Sequence, residues 1–161
     1  MIAGYRSRPV QVAEQLLSDY GIKRPPINPG LILLDFPIKV VLEDWGTDVS
    51  GIFVRGEVLN HIGLNKNHPV ERRHFTLWHE FYHFYEHKSI YFCEFNGRVK
   101  ASLLEQEADI FAAHFLMPER WVRRYFDQLF GNVGALAKRF TVSKTAMTNR
   151  LKALKLMEGA G

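Results

Sequence analysis

Five residues, His79-Glu80-Phe81-Tyr82-His83, constrain this chain more than any other stretch. Positions i and i+4 share one face of a helix, so both imidazoles can aim a ring nitrogen at one ion if the segment is helical. Glu80 lies about 100° around that helix, where its carboxylate can reach a water activated by the ion without ligating the ion itself. A metal lowers the pKa of such a water, and a nearby carboxylate can take its proton and return it to a leaving amine. Phe75, Leu77, Trp78, Phe81, Tyr82, Phe84 and Tyr85 make the segment apolar on most sides, as expected of a central buried helix. Two histidines and a glutamate without partners would be costly there. That cost weighs against the plainer reading of histidines merely satisfied by hydrogen bonds.

Two histidines leave a third ligand to find. His87 continues the i, i+4 series, but it lies about 12 Å along the axis from His79, too far for one ion to bind all three. The extended pattern with a glycine and a third histidine is absent, because Glu86 and Ser89 occupy those places. The ligand is therefore expected from another element, and Glu105-Gln106-Glu107-Ala108-Asp109 is the best candidate. Glu105 and Asp109 share a helix face, so one can bind metal while the other accepts a hydrogen bond from the far nitrogen of a ligand histidine. Glu107 is roughly 200° around from Glu105, on a face it shares with His114, and stays open as a second choice. Leu104, Ala108, Phe111, Ala112 and Phe115 form the apolar stripe of this helix, and Glu105 borders it.

The rest of the chain reads as helix, small sheet, then helices. A first helix is expected over 7–20, with Ser7 as N-cap, Pro9 in the first turn and Gly21 as its stop. A second short helix is expected at 29–35. Three strands follow at 38–42, 50–54 and 58–64, largely antiparallel because the connections are short. A long aromatic helix runs from Pro69 to about His87. Residues 88–99 read as irregular with a turn at Asn96-Gly97, and helices are expected at 100–116, 118–128, 132–139 and 143–156. The single cysteine, Cys93, excludes a disulfide framework and a cysteine-rich zinc site. The first residues hold no apolar run of the length a signal peptide needs, and no stretch is apolar enough to span a bilayer, so a cytoplasmic protein is expected.

At this point the residues meet a known family. Phe75-Thr76-Leu77-Trp78-His79-Glu80-Phe81-Tyr82-His83, with Glu105-Gln106-Glu107-Ala108-Asp109-Ile110-Phe111-Ala112-Ala113-His114-Phe115-Leu116-Met117-Pro118, resembles the ImmA/IrrE metallo-endopeptidases from about residue 28 to the tail. The resemblance implies a gluzincin-like zinc peptidase, with one Zn2+ per chain, that cuts a helix-turn-helix repressor in mobile-element control or stress response. Carried over by position, His79, His83 and Glu105 are the metal ligands, Glu80 the catalytic base, and Asp109 the group behind a ligand. Many members have a small residue where this chain has Tyr82. Many also carry, or are encoded beside, a DNA-binding repressor domain, which is here expected on a separate protein. The fold class expected is α+β: a predominantly helical zincin-like domain over 1–130 with a small three-stranded, largely antiparallel sheet, and a helix-turn-helix-like segment over 131–161.

Charge sets that last segment apart. Of a net +4, residues 131–161 contribute +5, and the first 130 residues hold 15 basic against 16 acidic side chains. Leu136 to Leu151 resembles a helix-turn-helix, with Ala137 allowing close approach, Val142 filling the angle and Ser143 capping the second helix. Thr141 stands where such a turn favours glycine. The second helix offers Lys144, Thr145, Thr148, Asn149 and Arg150 to DNA or a partner.

Two other functions compete with an endopeptidase. One is a non-proteolytic regulator that binds a repressor, or DNA, through the basic tail. The other is a structural metal module closed by a fourth ligand such as His61, His68 or Cys93. For the protease, 50–55 or 58–65 could serve as an edge strand for the substrate backbone. Tyr82, His61 and His114 are the candidates for stabilising the oxyanion.

Overall fold

A computed structural model describes residues 7–87 and 97–158, with 97–102 described by backbone alone. Cys93 and most of the irregular stretch expected at 88–99 lie outside the described residues. The elements are α1 (Arg8–Asp19), α2 (Gly30–Leu33), β1 (Ile38–Glu43), β2 (Gly51–Val54), β3 (Asn60–Asn65), α3 (Val70–Glu86), α4 (Gly97–Leu116), α5 (Glu119–Gln128), α6 (Val133–Phe140) and α7 (Lys144–Ala153). The fold is α+β and predominantly helical, as expected. Gly97, expected in a turn, already begins α4. Gly21 ends the first helix at φ +60°, a conformation that glycine adopts without steric penalty. Ser7 stands at the N-cap of α1 but makes no capping bond with its side chain.

The sheet is mixed rather than largely antiparallel. Its order is β1-β3-β2: β3 pairs antiparallel with β2 but parallel with β1, from Ile38–Asn60 to Glu43–Asn65. The short connection after β1 suggested a hairpin with β2. Instead that connector passes over the end of β3, where the Asn65 amide donates to the carbonyls of Gly46 (3.1 Å) and Val49 (2.6 Å). β3 is consequently central, with both edges paired, so the run 58–65 cannot serve as an edge strand; β2 is one.

Alternation along β3 sends Ile62 and Leu64 to the helices, both buried, and His61 and Gly63 to the outer face. A Cβ at Gly63 would stand 2.6 Å from the Trp45 ring, so glycine is what lets that indole close over the outer face.

α3 packs on β2 and β3 with one side and on α4 with another, and α1 covers α4. The α3–α4 seam has two rows. An apolar row joins Trp78 to Phe115 (ring centroids 4.5 Å) and Tyr82 to Phe111 (4.8 Å), all fully buried. A polar row joins His79 to Asp109 and His83 to Glu105. Advancing along α3 steps back along α4 in both rows, so the helices run antiparallel. The i, i+4 spacing expected of the motif therefore places its polar residues at the open edge of an aromatic core.

α6 and α7 join the same core through Leu136, Phe140, Met147 and Leu151. Ser143 caps α7 by accepting from the Ala146 N–H (3.0 Å), as expected. Thr141 adopts the left-handed conformation between the two helices (φ +54°, ψ +51°), and its carbonyl accepts from His74 Nδ1 of α3 (3.0 Å). Among the described residues no helix is long and apolar enough to cross a membrane.

Candidate metal centre

His79 and His83 project one turn apart from α3, and their Nε2 atoms stand 3.1 Å apart. The Glu105 carboxylate, from α4, reaches both: Oε2 is 3.0 Å from His79 Nε2 and Oε1 is 3.0 Å from His83 Nε2. These three side chains form a group whose donor atoms could hold one metal ion. Ligands at about 2.05 Å from a tetrahedral zinc stand roughly 3.3 Å from one another, close to the spacing here. The histidines are half-buried and Glu105 is exposed, so the group opens to solvent on one side. Of the two glutamates left open by the sequence, Glu105 is the one brought to the imidazoles; Glu107 instead meets His87 Nε2 at 3.0 Å.

Hydrogen-bond chemistry fits this group to a cation. Asp109 Oδ1 lies 2.8 Å from His79 Nδ1. A carboxylate only accepts, so Nδ1 carries a proton and neutral His79 turns a lone pair at Nε2 toward His83 and Glu105. Lone pairs converging at 3.0–3.1 Å need a proton on one imidazole or a cation among all three. Burial works to lower the His79 pKa, but the Asp109 bond and the charges of Glu80, Asp109 and Glu105 outweigh it, leaving it raised. His83 is driven down to about 4, by burial first and then by the His79 charge.

Glu80 sits beside this group under β2. Burial pushes its carboxyl up to about 7, the His79 charge pulls it back, and the Glu105 charge adds to the rise. The strand approaches closely because residue 51 is glycine. A Cβ there would collide with Thr76 Cγ2 and stand 3.5 Å from Glu80 Cγ.

The remaining sequence candidates are scattered. His61 lies on the outer face of the sheet. Tyr82 is fully buried against Phe111, and burial raises its phenol pKa. His114 is clasped by the Arg150 guanidinium (Nη1 to Nε2, 3.2 Å). His68 bonds the Thr47 carbonyl (3.1 Å), and Cys93 lies outside the described residues. Neither His61 nor His68 joins the group of metal donors. Arg150, expected on an exposed face for DNA, is 6% exposed, and its Nε donates to the Met117 carbonyl (2.9 Å). Helical spacing carries the sign: Arg150 follows Ala146 and Met147 by four and three residues and precedes Leu151, so it shares their inward face. Lys144 and Asn149 are exposed and Thr148 is half-buried.

Comparison with known proteins bears on the family and the fold. The family model described as the IrrE N-terminal-like domain, peptidase M78, matches residues 35–152. A solved structure of a Mycobacterium tuberculosis transcriptional regulator is similar in fold, with a TM-score of 0.69 at 18% identity. The match covers 92% of this chain and 47% of that one, so this chain spans about half the regulator's length. No curated protein matches.

Proposed function

This chain belongs to the peptidase M78 family, with its IrrE N-terminal-like domain, and from that premise we propose that it is a zinc-dependent endopeptidase that cuts a helix-turn-helix repressor. The observation that carries the reading is the convergence of His79, His83 and Glu105 with Glu80 beside them. One zinc per chain, held by those two imidazoles and that carboxylate, supplies when bound a Lewis acid for the attacking water and the scissile carbonyl. Glu80 accepts the proton of the attacking water and passes it to the leaving amine. Asp109 holds the His79 ring in its tautomer. β2 is an edge strand among the described residues, and the backbone of an extended substrate can add to it.

Residues 1–130 carry this chemistry, and the basic segment 131–161 is the contact for the repressor or for DNA, through Lys144, Thr148 and Asn149. A reading without cleavage, in which the chain binds a repressor or DNA stoichiometrically, draws support from the transcriptional regulator of similar fold. The glutamate beside the metal group favours the protease, since binding alone does not require it.

Glu80→Gln separates the two. The variant retains one zinc per chain and leaves a co-incubated repressor intact, while wild type yields fragments on a gel. Fragments from the variant at the wild-type rate would remove Glu80 from its role. An intact, shifted complex with wild type would make the protein a binder.

A further inference from the structure

His83 has a partner at its far nitrogen, as His79 does, but the partner is another histidine. His87 is the first residue beyond α3, at φ −91° and ψ +52°, and its N–H still bonds the His83 carbonyl (3.2 Å). Its ring lies one turn beyond that of His83, and Nδ1 stands 2.8 Å from His83 Nδ1. Its Nε2 stands 3.0 Å from Glu107 Oε2 on α4. The His87 side chain is 7% exposed, and the Tyr82 ring meets it edge-on at 5.2 Å, so the imidazole is largely shielded from solvent while Glu107 is 44% exposed.

We propose that Glu107 and His87 form a relay that positions His83 and fixes its tautomer, so that its Nε2 lone pair faces the metal position. This rests on the reading of His83 as a metal ligand. The logic runs inward from the carboxylate. Glu107 can only accept, so His87 carries its proton on Nε2. Neutral His87 then has its lone pair on Nδ1. Two ring nitrogens at 2.8 Å share one proton, and it must belong to His83 Nδ1. Neutral His83 is left with its lone pair on Nε2, toward Glu105 and His79. Asp109 achieves the same on His79 in one step. Both ligand histidines thus present the same nitrogen, each held from α4, one directly and one through an intervening imidazole. A carboxylate that competes with Glu105 on sequence grounds acquires a separate task.

The test is zinc affinity by chelator competition, joined to 15N NMR of the histidine rings in the zinc-loaded protein. Glu107→Gln retains an acceptor and keeps affinity near wild type. Glu107→Leu and His87→Phe remove it and weaken zinc about 10- to 100-fold, the usual effect of losing such a partner. In wild type the spectra place the His87 proton on Nε2 and the His83 proton on Nδ1, a result that needs no variant to fold. A proton on His87 Nδ1, or equal affinity in all three variants, overturns the relay alone. A wild-type protein that binds no zinc overturns the relay together with the reading of His83 as a ligand.

Discussion

Glu105 reaches both imidazoles with one carboxylate, whereas Glu107, two residues on, reaches neither. Metal content at saturating zinc is therefore expected to separate them. Elemental analysis should find one zinc per chain in wild type and in Glu107→Ala, and little in His83→Ala or Glu105→Ala, where a donor itself is gone. Zinc retained by Glu105→Ala would move the third ligand elsewhere. Much at this scale was legible, because i, i+4 spacing fixes which side chains share a helix face whatever surrounds them. Hence His79, Glu80 and His83 stood out, and Asp109 and Glu105 fell on one helix face, from which both meet His79. Spacing could not choose between Glu105 and Glu107, since that depends on how α4 is rotated against α3. It also set His87 aside as too distant for the ion, which is sound for ligation. The ring nevertheless matters through contact with His83, one turn before it.

Elements bring these residues to working distance, and β2 is the one with least slack. Its approach to α3 depends on Gly51, whose missing Cβ leaves room for Thr76 Cγ2 and for the Gly63 carbonyl, 3.0 Å away from where the atom would be. Gly51→Ala is expected to push the strand off the helix, costing about 1–3 kcal/mol as overpacking does. Peptidase activity should fall as well, because Glu80 loses its cover. Thr76→Ser deletes the nearest colliding atom, so the double variant should regain part of the stability in urea denaturation. If Thr76→Ser gives no relief, the crowding lies with the Gly63 carbonyl. Strand positions were readable from β-rich runs and turn residues, but strand order was not. A short connector normally makes a hairpin, but this one is held across a strand end by bonds from the Asn65 amide to Gly46 and Val49, from Asn67 to Gly46, and between His68 and the Thr47 carbonyl. Thr141 taught the opposite lesson: the turn needs a left-handed residue, and the chain adopts that conformation with a β-branched one, held by His74.

At the scale of the molecule, the tail is bonded to the body through a buried cation. Charge counting set 131–161 apart because it sums side chains without regard to burial, and it assigned Arg150 to an exposed face. Arg150 instead ties α7 to the end of α4, donating to the Met117 carbonyl and the His114 ring. The arrangement requires His114 to stay neutral. Burial first, and then the Arg150 charge, bring it from the ordinary 6.5 down to about 4, despite opposing pulls from Glu14 and Glu119. A folded pKa below the unfolded one means that the unfolded chain binds more protons between the two values. This contribution to stability is thus complete above about pH 6.5 and drains away as pH falls toward 4. His114→Gln keeps an acceptor for the guanidinium but cannot titrate. Urea denaturation of both proteins at pH 7.5 and pH 5 should show a larger loss in wild type, by about 1 kcal/mol after allowance for solvent screening of a half-buried ring. Other titrating groups, the metal ligands and His74 among them, occur in both proteins and cancel in the difference. Equal losses would mean that His114 is not held neutral by Arg150. The tail would still be held by the Arg150 bond to the Met117 carbonyl and the His74 bond to the Thr141 carbonyl, and acid would not loosen it at His114.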